Sequence, residues 1–220
     1  PFILSSVYGT FGAILIGVPL GILCAVFLAK IAGKRTASFV SGAVSLMSGI
    51  PSVVYGLVGM IIIVPTVREF FGLPDGANLF SAILVLAVMI LPSVISVSET
   101  AIRAVPKEYE EASLALGATK IETIFKVTLP AAKSGILASV VLGIGRAIGA
   151  AMAVMMVAGN VANMPGLFKS VRFLTTAVAS EMSYSSGLQR QALFSVALVL
   201  FAFILGINLA LNLIVKKNRK

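Results

Sequence analysis

Apolar and polar positions along this chain fall into blocks and do not alternate residue by residue. Five long stretches carry almost no formal charge: Pro1 to Ala29, Thr36 to Val67, Gly76 to Ser98, Ser134 to Phe168 (broken by Arg146), and Gln191 to Val215. About 20 apolar residues at about 1.5 Å each cross a hydrocarbon layer about 30 Å thick, so each stretch predicts one membrane-spanning helix. The period-2 alternation of a membrane barrel is absent. The blocks predict an all-α, polytopic membrane protein with five spans, forming a single domain over residues 1–220.

Composition strengthens this picture. Hydrophobic residues make up 59% of the chain and charged residues 11%, against about 25% charged in soluble domains. A water-soluble fold of this size could not hide that much apolar surface. The net charge of +9 would suggest nucleic acid in a soluble protein, but 12 of the 17 basic residues lie in alternate connections. These are Lys30, Lys34, Arg35, Arg103, Lys107, Lys120, Lys126, Lys133, Lys216, Lys217, Arg219 and Lys220, while Arg68, Lys169, Arg172 and Arg190 lie on the other side. The positive-inside rule makes the first set and the C-terminus cytoplasmic. The expected partner of this charge is a bilayer and not nucleic acid. Five spans that end inside put Pro1 outside, and the chain is expected to lack an earlier span.

Several chemistries are excluded. Cys24 is the single cysteine and there is no histidine, so a disulfide framework, a Ser-His-Asp triad and histidine metal sites cannot be built. No Gly-x-x-x-x-Gly-Lys-[Ser/Thr] phosphate loop occurs. Any ATP-driven work falls to another subunit. Pro1 to Lys30 lacks the basic start and short apolar centre of a signal peptide and reads as a mature span.

The second stretch contains Gly49-Ile50-Pro51-Ser52, and a proline in mid-membrane frees backbone groups that lipid cannot satisfy. The break is either a packing kink or the lining of a water-filled path. Gly17 with Gly21, and Gly145 with Gly149, form Gly-x-x-x-Gly patterns that allow close helix approach. Outside, Leu167 to Val178 predicts a short interfacial helix.

Arg103 to Lys133 is the longest polar stretch. Pro106 suits a first helical position, and Glu108, Glu110 and Glu111 complement the helix dipole in the opening turns. A helix is expected from about Lys107 to Leu116. Gly117 supplies a left-handed stop, and Thr119-Lys120-Ile121-Glu122 is a capping box for a second helix. The apolar Leu114, Leu116, Ile121, Ile124 and Phe125 either fit a groove on a cytoplasmic partner or rest on the bilayer surface.

Glu111-Ala112, then Gly117, then nine residues to Val127-Thr128-Leu129-Pro130 resembles the EAA signature, Glu-Ala-Ala-x3-Gly-x9-Ile-x-Leu-Pro, of ABC-importer permeases. Ser113 and Val127 depart from it mildly. Gly49 to Gly56, Ser98 to Pro106, Ala115 to Thr119 and Gly145 to Gly149 resemble the phosphate-specific permeases. Met152-Ala153-Val154 and Gly159-Asn160 favour the PstC-type half over the PstA-type half. The match covers essentially the whole chain and implies a six-span family core of the type I importer permease fold, with the first span absent here. It also implies a bacterial inner-membrane location, a second, PstA-type permease, a cytoplasmic ATPase dimer that binds the ATP and Mg, and an extracytoplasmic phosphate-binding protein. No cofactor and no enzymatic chemistry are implied for this chain. Carried over by position, the ATPase-coupling residues are Glu111, Ala112 and Gly117, with Glu110, Leu116, Ala118 and Thr119 beside them.

Arg146 stands near the middle of the fourth stretch, where a cation costs roughly 2.5–3.5 kcal/mol to insert and normally faces a bundle interior or a cavity. At about 100° per residue its face includes Ser139, Gly143, Ala150, Ala153, Val157 and Asn160, opposite Ile144, Ile148 and Met155. The small, partly polar side suits a path wide enough for an anion, and a guanidinium matches phosphate oxygens bidentately. The other reading pairs Arg146 with a carboxylate or with carbonyls as a helix tie. The resemblance implies a glutamate at the position of Ala150, which leaves Arg146 either more attractive to anions or impaired in transport. Glu99 and Arg103, four apart at the cytoplasmic end of the third span, form an interface ion pair or a gating contact. Ser52 is a further candidate donor to a passing oxyanion, although hydroxyls in membrane helices often bond their own backbone. On this reading the chain is a phosphate permease subunit, with a permease for sulfate or phosphonate, or a non-transporting scaffold or sensor, as alternatives.

Overall fold

The computed structural model describes residues 1–217, with side chains as far as residue 209. The side chains of Lys216 and Lys217, and Arg219 and Lys220 entirely, lie outside the described residues. The helices, in order, are α1 (Phe2–Val26), extended by a π-helical turn at Phe27–Ile31; α2 (Lys34–Ser48); α3 (Ser52–Val58), continuing through a π turn at Gly59–Ile63 into α4 (Val64–Phe70); and α5 (Leu79–Arg103). There follow α6 (Lys107–Ala115), α7 (Lys120–Thr123), a π turn at Ile124–Thr128, α8 (Leu129–Ala131), α9 (Lys133–Gly149), α10 (Ala151–Val157), α11 (Leu174–Glu181) and α12 (Gly187–Lys217).

Among the described residues four helices, Phe2–Ile31, Ser52–Phe70, Leu79–Arg103 and Gly187–Leu209, are each long and apolar enough to cross a membrane. Counting α9 with the helix before it, from which it turns by 70°, brings the number to five. Two expected stretches are not single helices. Thr36 to Val67 is interrupted at Gly49–Pro51, where Pro51 takes an extended ψ of 144°. Ser134 to Phe168 leaves helix at Ala150 and again after Val157, because Gly159 (φ 80°) and Asn160 (φ 59°) turn the chain left-handed. The expected helix over Leu167 to Val178 begins only at Leu174.

α1, α5 and α9 form the packed centre. Glycines of α1 meet branched side chains of α5 in parallel register: Gly12 on Ile83, Gly17 on Ile90 and Gly21 on Val94. A Cβ at Gly17 would sit 2.8 Å from the Ile90 Cδ1 atom, so this Gly-x-x-x-Gly is a close-approach surface of the kind membrane helices use. Gly145 and Gly149 face nothing within 4 Å. α9 runs antiparallel to α5, with Gly135 on Ala101 and Gly143 on Val94. The Asn78 side chain caps α5 by accepting from the Ser81 N–H at 3.0 Å. Only 6% of the apolar window of α12 is buried, which lipid tolerates because its tails are as apolar as leucine.

The basic residues separate by end. At one end Lys30 pairs with Glu110 and Arg103 donates to the Leu28 carbonyl at 2.9 Å. At the other, Arg68 packs on Gly76 and the Leu79 N–H donates to the Lys169 carbonyl at 3.1 Å.

Candidate functional site: a mid-span arginine and a polar helical hairpin

The hairpin is built as its residues dictate. α6 follows Pro106 and stops one residue short of the expected Leu116. Gly117 turns at φ 87°, where a Cβ is disfavoured. Thr119 and Glu122 form the reciprocal capping box. The Glu122 carboxylate accepts from the Thr119 N–H at 3.0 Å and from its hydroxyl at 2.9 Å. Those bonds, the backbone one foremost, together with Lys126, pull its pKa to about 2. Ser113 and Thr123 share a hydroxyl–hydroxyl bond of 2.9 Å that closes the hairpin.

Glu111, Ala112, Leu116, Gly117 and Thr119 are exposed and Ala118 is partly so. Leu116 is 90% and Ile121 67% exposed, a high apolar exposure for a polar connection. Ser113, Leu116, Gly117, Ala118, Glu122, Lys126 and Val127 line a recess of about 400 Å³. Glu110 does not join Glu111 on this outward side. One residue is about 100° of helix, and Glu110 turns towards the membrane helices, where it pairs with Lys30 and accepts from the Thr128 hydroxyl at 3.2 Å.

Glu99 and Arg103 also bond, Nε to Oε1 at 2.9 Å. The Ser41 hydroxyl of α2 donates to the same carboxylate at 3.2 Å, and Arg103 donates to the Leu28 carbonyl at 2.9 Å. The pair therefore joins α5 to α2 and to the π turn that ends α1.

Arg146, partly buried on α9, donates to the Ser93 hydroxyl near the middle of α5. Among the described residues no carboxylate lies within salt-bridge distance of it. Two broken helices meet beside it. In α3, Gly56 lies so close to α10 that a Cβ would sit 2.8 Å from the Ala153 Cα. Tyr55 donates across the Gly49–Pro51 break to the Met47 carbonyl at 2.7 Å. Ala150, 3% exposed, is the break on the other helix, with φ −82° and ψ 58°.

The face of α9 expected to line a path is instead largely its packing face. Ser139 is fully buried, shares a 2.8 Å bond with Ser98 of α5 and donates to the Ile136 carbonyl at 2.7 Å. Gly143, Ala150, Ala153 and Val157 are buried as well. In lipid, small residues go to helix contacts, which is why this side turned inward. The open side of α9 and α10 carries Leu142, Gly145, Gly149 and Met152, and Arg146 stands at the border of the two. Asn160 is not beside Arg146 either: it forms the turn after α10, donating from Nδ2 to the Met155 carbonyl at 2.6 Å. Its own carbonyl accepts from Arg172 Nε at 2.8 Å. Ser52 opens α3 directly after Pro51. Ser93 and Tyr55 escaped the sequence reading, although Pro92-Ser93 in mid-span and a tyrosine four residues beyond Pro51 were the available signals.

Residues 17–220 match the family described as binding-protein-dependent transport system inner membrane component. The probable ABC transporter permease protein YqgH of Bacillus subtilis is 40% identical over 215 residues, covering 94% of this chain and 70% of that protein. The phosphate transport system permease proteins PstC of Pasteurella multocida and Haemophilus influenzae are 35% and 33% identical, covering 90% and 93% of this chain and 68% and 71% of theirs. Among solved structures, the inward-facing MetNI methionine ABC transporter superposes with a TM-score of 0.71 at 22% identity, covering 97% of this chain and 91% of that one. An amino acid ABC transporter gives 0.68 at 20% identity, covering 98% and 92%. At these identities the two structures speak for the fold alone.

Proposed function

The chain belongs to the binding-protein-dependent transport system inner membrane components, within their PstC-type phosphate permeases, and from that premise we propose how it works. It is one transmembrane half of an ATP-driven phosphate importer of the bacterial inner membrane, with its C-terminus cytoplasmic. A second, PstA-type permease completes the translocation unit, a binding protein outside delivers phosphate, and a cytoplasmic ATPase dimer holds ATP and Mg. This subunit makes and breaks no covalent bond.

The observation that carries the substrate assignment is Arg146. Among the described residues its charge is offset by one neutral hydroxyl, so part of the roughly 2.5–3.5 kcal/mol of insertion cost stays uncompensated until an anion arrives. A charge-assisted hydrogen bond contributes roughly 1.5–3 kcal/mol, and a guanidinium offers two in parallel to a tetrahedral oxyanion. The broken helices beside it supply backbone that can rearrange without lipid exposure. On the cytoplasmic side the exposed Leu116, Ile121 and Phe125, with the recess around Gly117, suit docking into a groove of the ATPase. Closure of that dimer displaces the hairpin, and α9 carries the displacement to Arg146.

Phosphate-stimulated ATP hydrolysis by the reconstituted complex tests the proposal. Stimulation by phosphate well above that by sulfate or phosphonate is expected. Stimulation by another oxyanion instead would reassign the substrate, and failure to co-purify with any ATPase would leave only a scaffold.

A further inference from the structure

π-helical turns concentrate at functional sites, where an inserted residue interrupts the regular hydrogen-bond ladder. Two of the π turns here, at Phe27–Ile31 and Ile124–Thr128, converge on a single side chain. Lys30 of the first forms an ion pair with Glu110 Oε1, and Thr128, the last residue of the second, donates its hydroxyl to the same oxygen at 3.2 Å. The Lys30 and Glu110 side chains are 15% and 24% exposed, and Thr128 is fully buried. Lys126 and Glu122 on the same hairpin, at 75% and 46%, are by contrast an ordinary surface pair of little energetic weight.

The hairpin is joined covalently at both ends, through residues 104–106 to α5 and through the 70° bend into α9. Its Ile124 also lies in an apolar cluster with Ala25 and Val26 of α1. Glu110 adds a polar tie to the end of α1. That end is also gripped by Arg103 at the Leu28 carbonyl, and α1 packs along α5 through its glycines. A cavity of about 330 Å³ bordered by Lys30, Glu110, Leu114 and Lys120 adjoins the tie and gives the hairpin room to pivot about it.

We propose that Glu110 is a positioning residue that locks the cytoplasmic hairpin to the first span, so that a displacement imposed on the hairpin reaches α1 as well as α9. The assignment rests on the reading that an ATPase moves the hairpin. It separates Glu110 from its neighbour Glu111, which stays free to meet the partner.

The test uses the reconstituted complex with Glu110→Gln, which can still accept from Thr128 but loses the ion pair, and with the exchanged pair Lys30→Glu/Glu110→Lys. Phosphate taken up per ATP hydrolysed is measured, together with amide hydrogen exchange over residues 27–32 with and without ATP. Glu110→Gln is expected to co-purify with the ATPase as the parent does, and to lower uptake per ATP at least about fivefold, the lower end of ordinary site-to-site coupling. It should also abolish the ATP-dependent change in exchange, and the exchanged pair should recover at least half of both. Unchanged coupling and exchange in Glu110→Gln overturns the proposal. Loss of ATPase co-purification overturns it too, since Glu110 would then be a docking residue. If the parent complex binds ATP but moves no phosphate, the transport reading fails while the exchange difference still decides the role of Glu110.

Discussion

Arg146 and Arg172 are both partly buried guanidinium groups, one beside the middle of α5 and one at the end of the helices opposite the hairpin. Arg172 is satisfied locally: it pairs with Glu181 and donates to the Asn160 carbonyl at 2.8 Å. Arg146 sits where a charge is more expensive and, among the described residues, bonds the Ser93 hydroxyl alone. The difference separates a charge that closes a turn from a charge left available. Breaking a structural pair should lower stability without touching substrate recognition, and altering an available charge should do the reverse.

The largest effect is expected from Arg146→Gln. Two charge-assisted bonds at roughly 1.5–3 kcal/mol each correspond to a loss of phosphate uptake of at least about 10²-fold, measured in proteoliposomes, with assembly and thermal midpoint near the parent's. Glu181→Gln leaves Arg172 half-buried without its carboxylate. Loss of a fully buried pair costs roughly 3–5 kcal/mol, and partial solvent exposure reduces the expectation here to about 1–2 kcal/mol, seen as a lower thermal midpoint with an unchanged KM for phosphate. A raised KM at unchanged stability would erase the contrast between the two arginines.

Ala150→Glu makes Arg146 resemble Arg172, since it places a carboxylate one helical turn away at a buried position. About 1.4 kcal/mol of competition with the substrate raises the KM roughly tenfold; a lowered KM would show that Arg146 needs a carboxylate to work. Ser93→Ala removes a competing neutral partner, worth about 0.5–1.5 kcal/mol, and should lower the KM a few-fold.

The smallest effect lies outside the membrane. Glu122 has its pKa lowered from 4.5 to about 2 by the capping box. A depressed carboxylate stabilises the hairpin above its unfolded pKa, and that contribution is lost as pH falls towards the folded value. Hydrogen-exchange protection of residues 119–123 should therefore hold near neutral pH and decline between pH 4.5 and about 2, and Glu122→Gln should abolish that decline.

How much of this was legible follows from which forces act locally. The apolar blocks and the hairpin were readable because span length, the left-handed Gly117 and the Thr119–Glu122 box are set by a few adjacent residues. The break at Ala150 was not, because alanine is the best intrinsic helix former and the break arises where α10 packs against α3. Periodicity grouped the residues of α9 correctly but not their destination: small residues that looked like a path surface were drawn into contact with α5. Glu110 shared a helix and a charge with Glu111, and only the position of Lys30, 80 residues earlier in the chain, turned it inward. Ser93 became part of the site only when α5 and α9 were brought side by side.

A structure of the assembled complex with phosphate trapped in the membrane decides whether Arg146 receives the substrate. Phosphate oxygens are expected about 2.7–2.9 Å from its guanidinium, with no carboxylate of either permease paired to it. A carboxylate of the second permease occupying that guanidinium, with phosphate bound elsewhere, would contradict it.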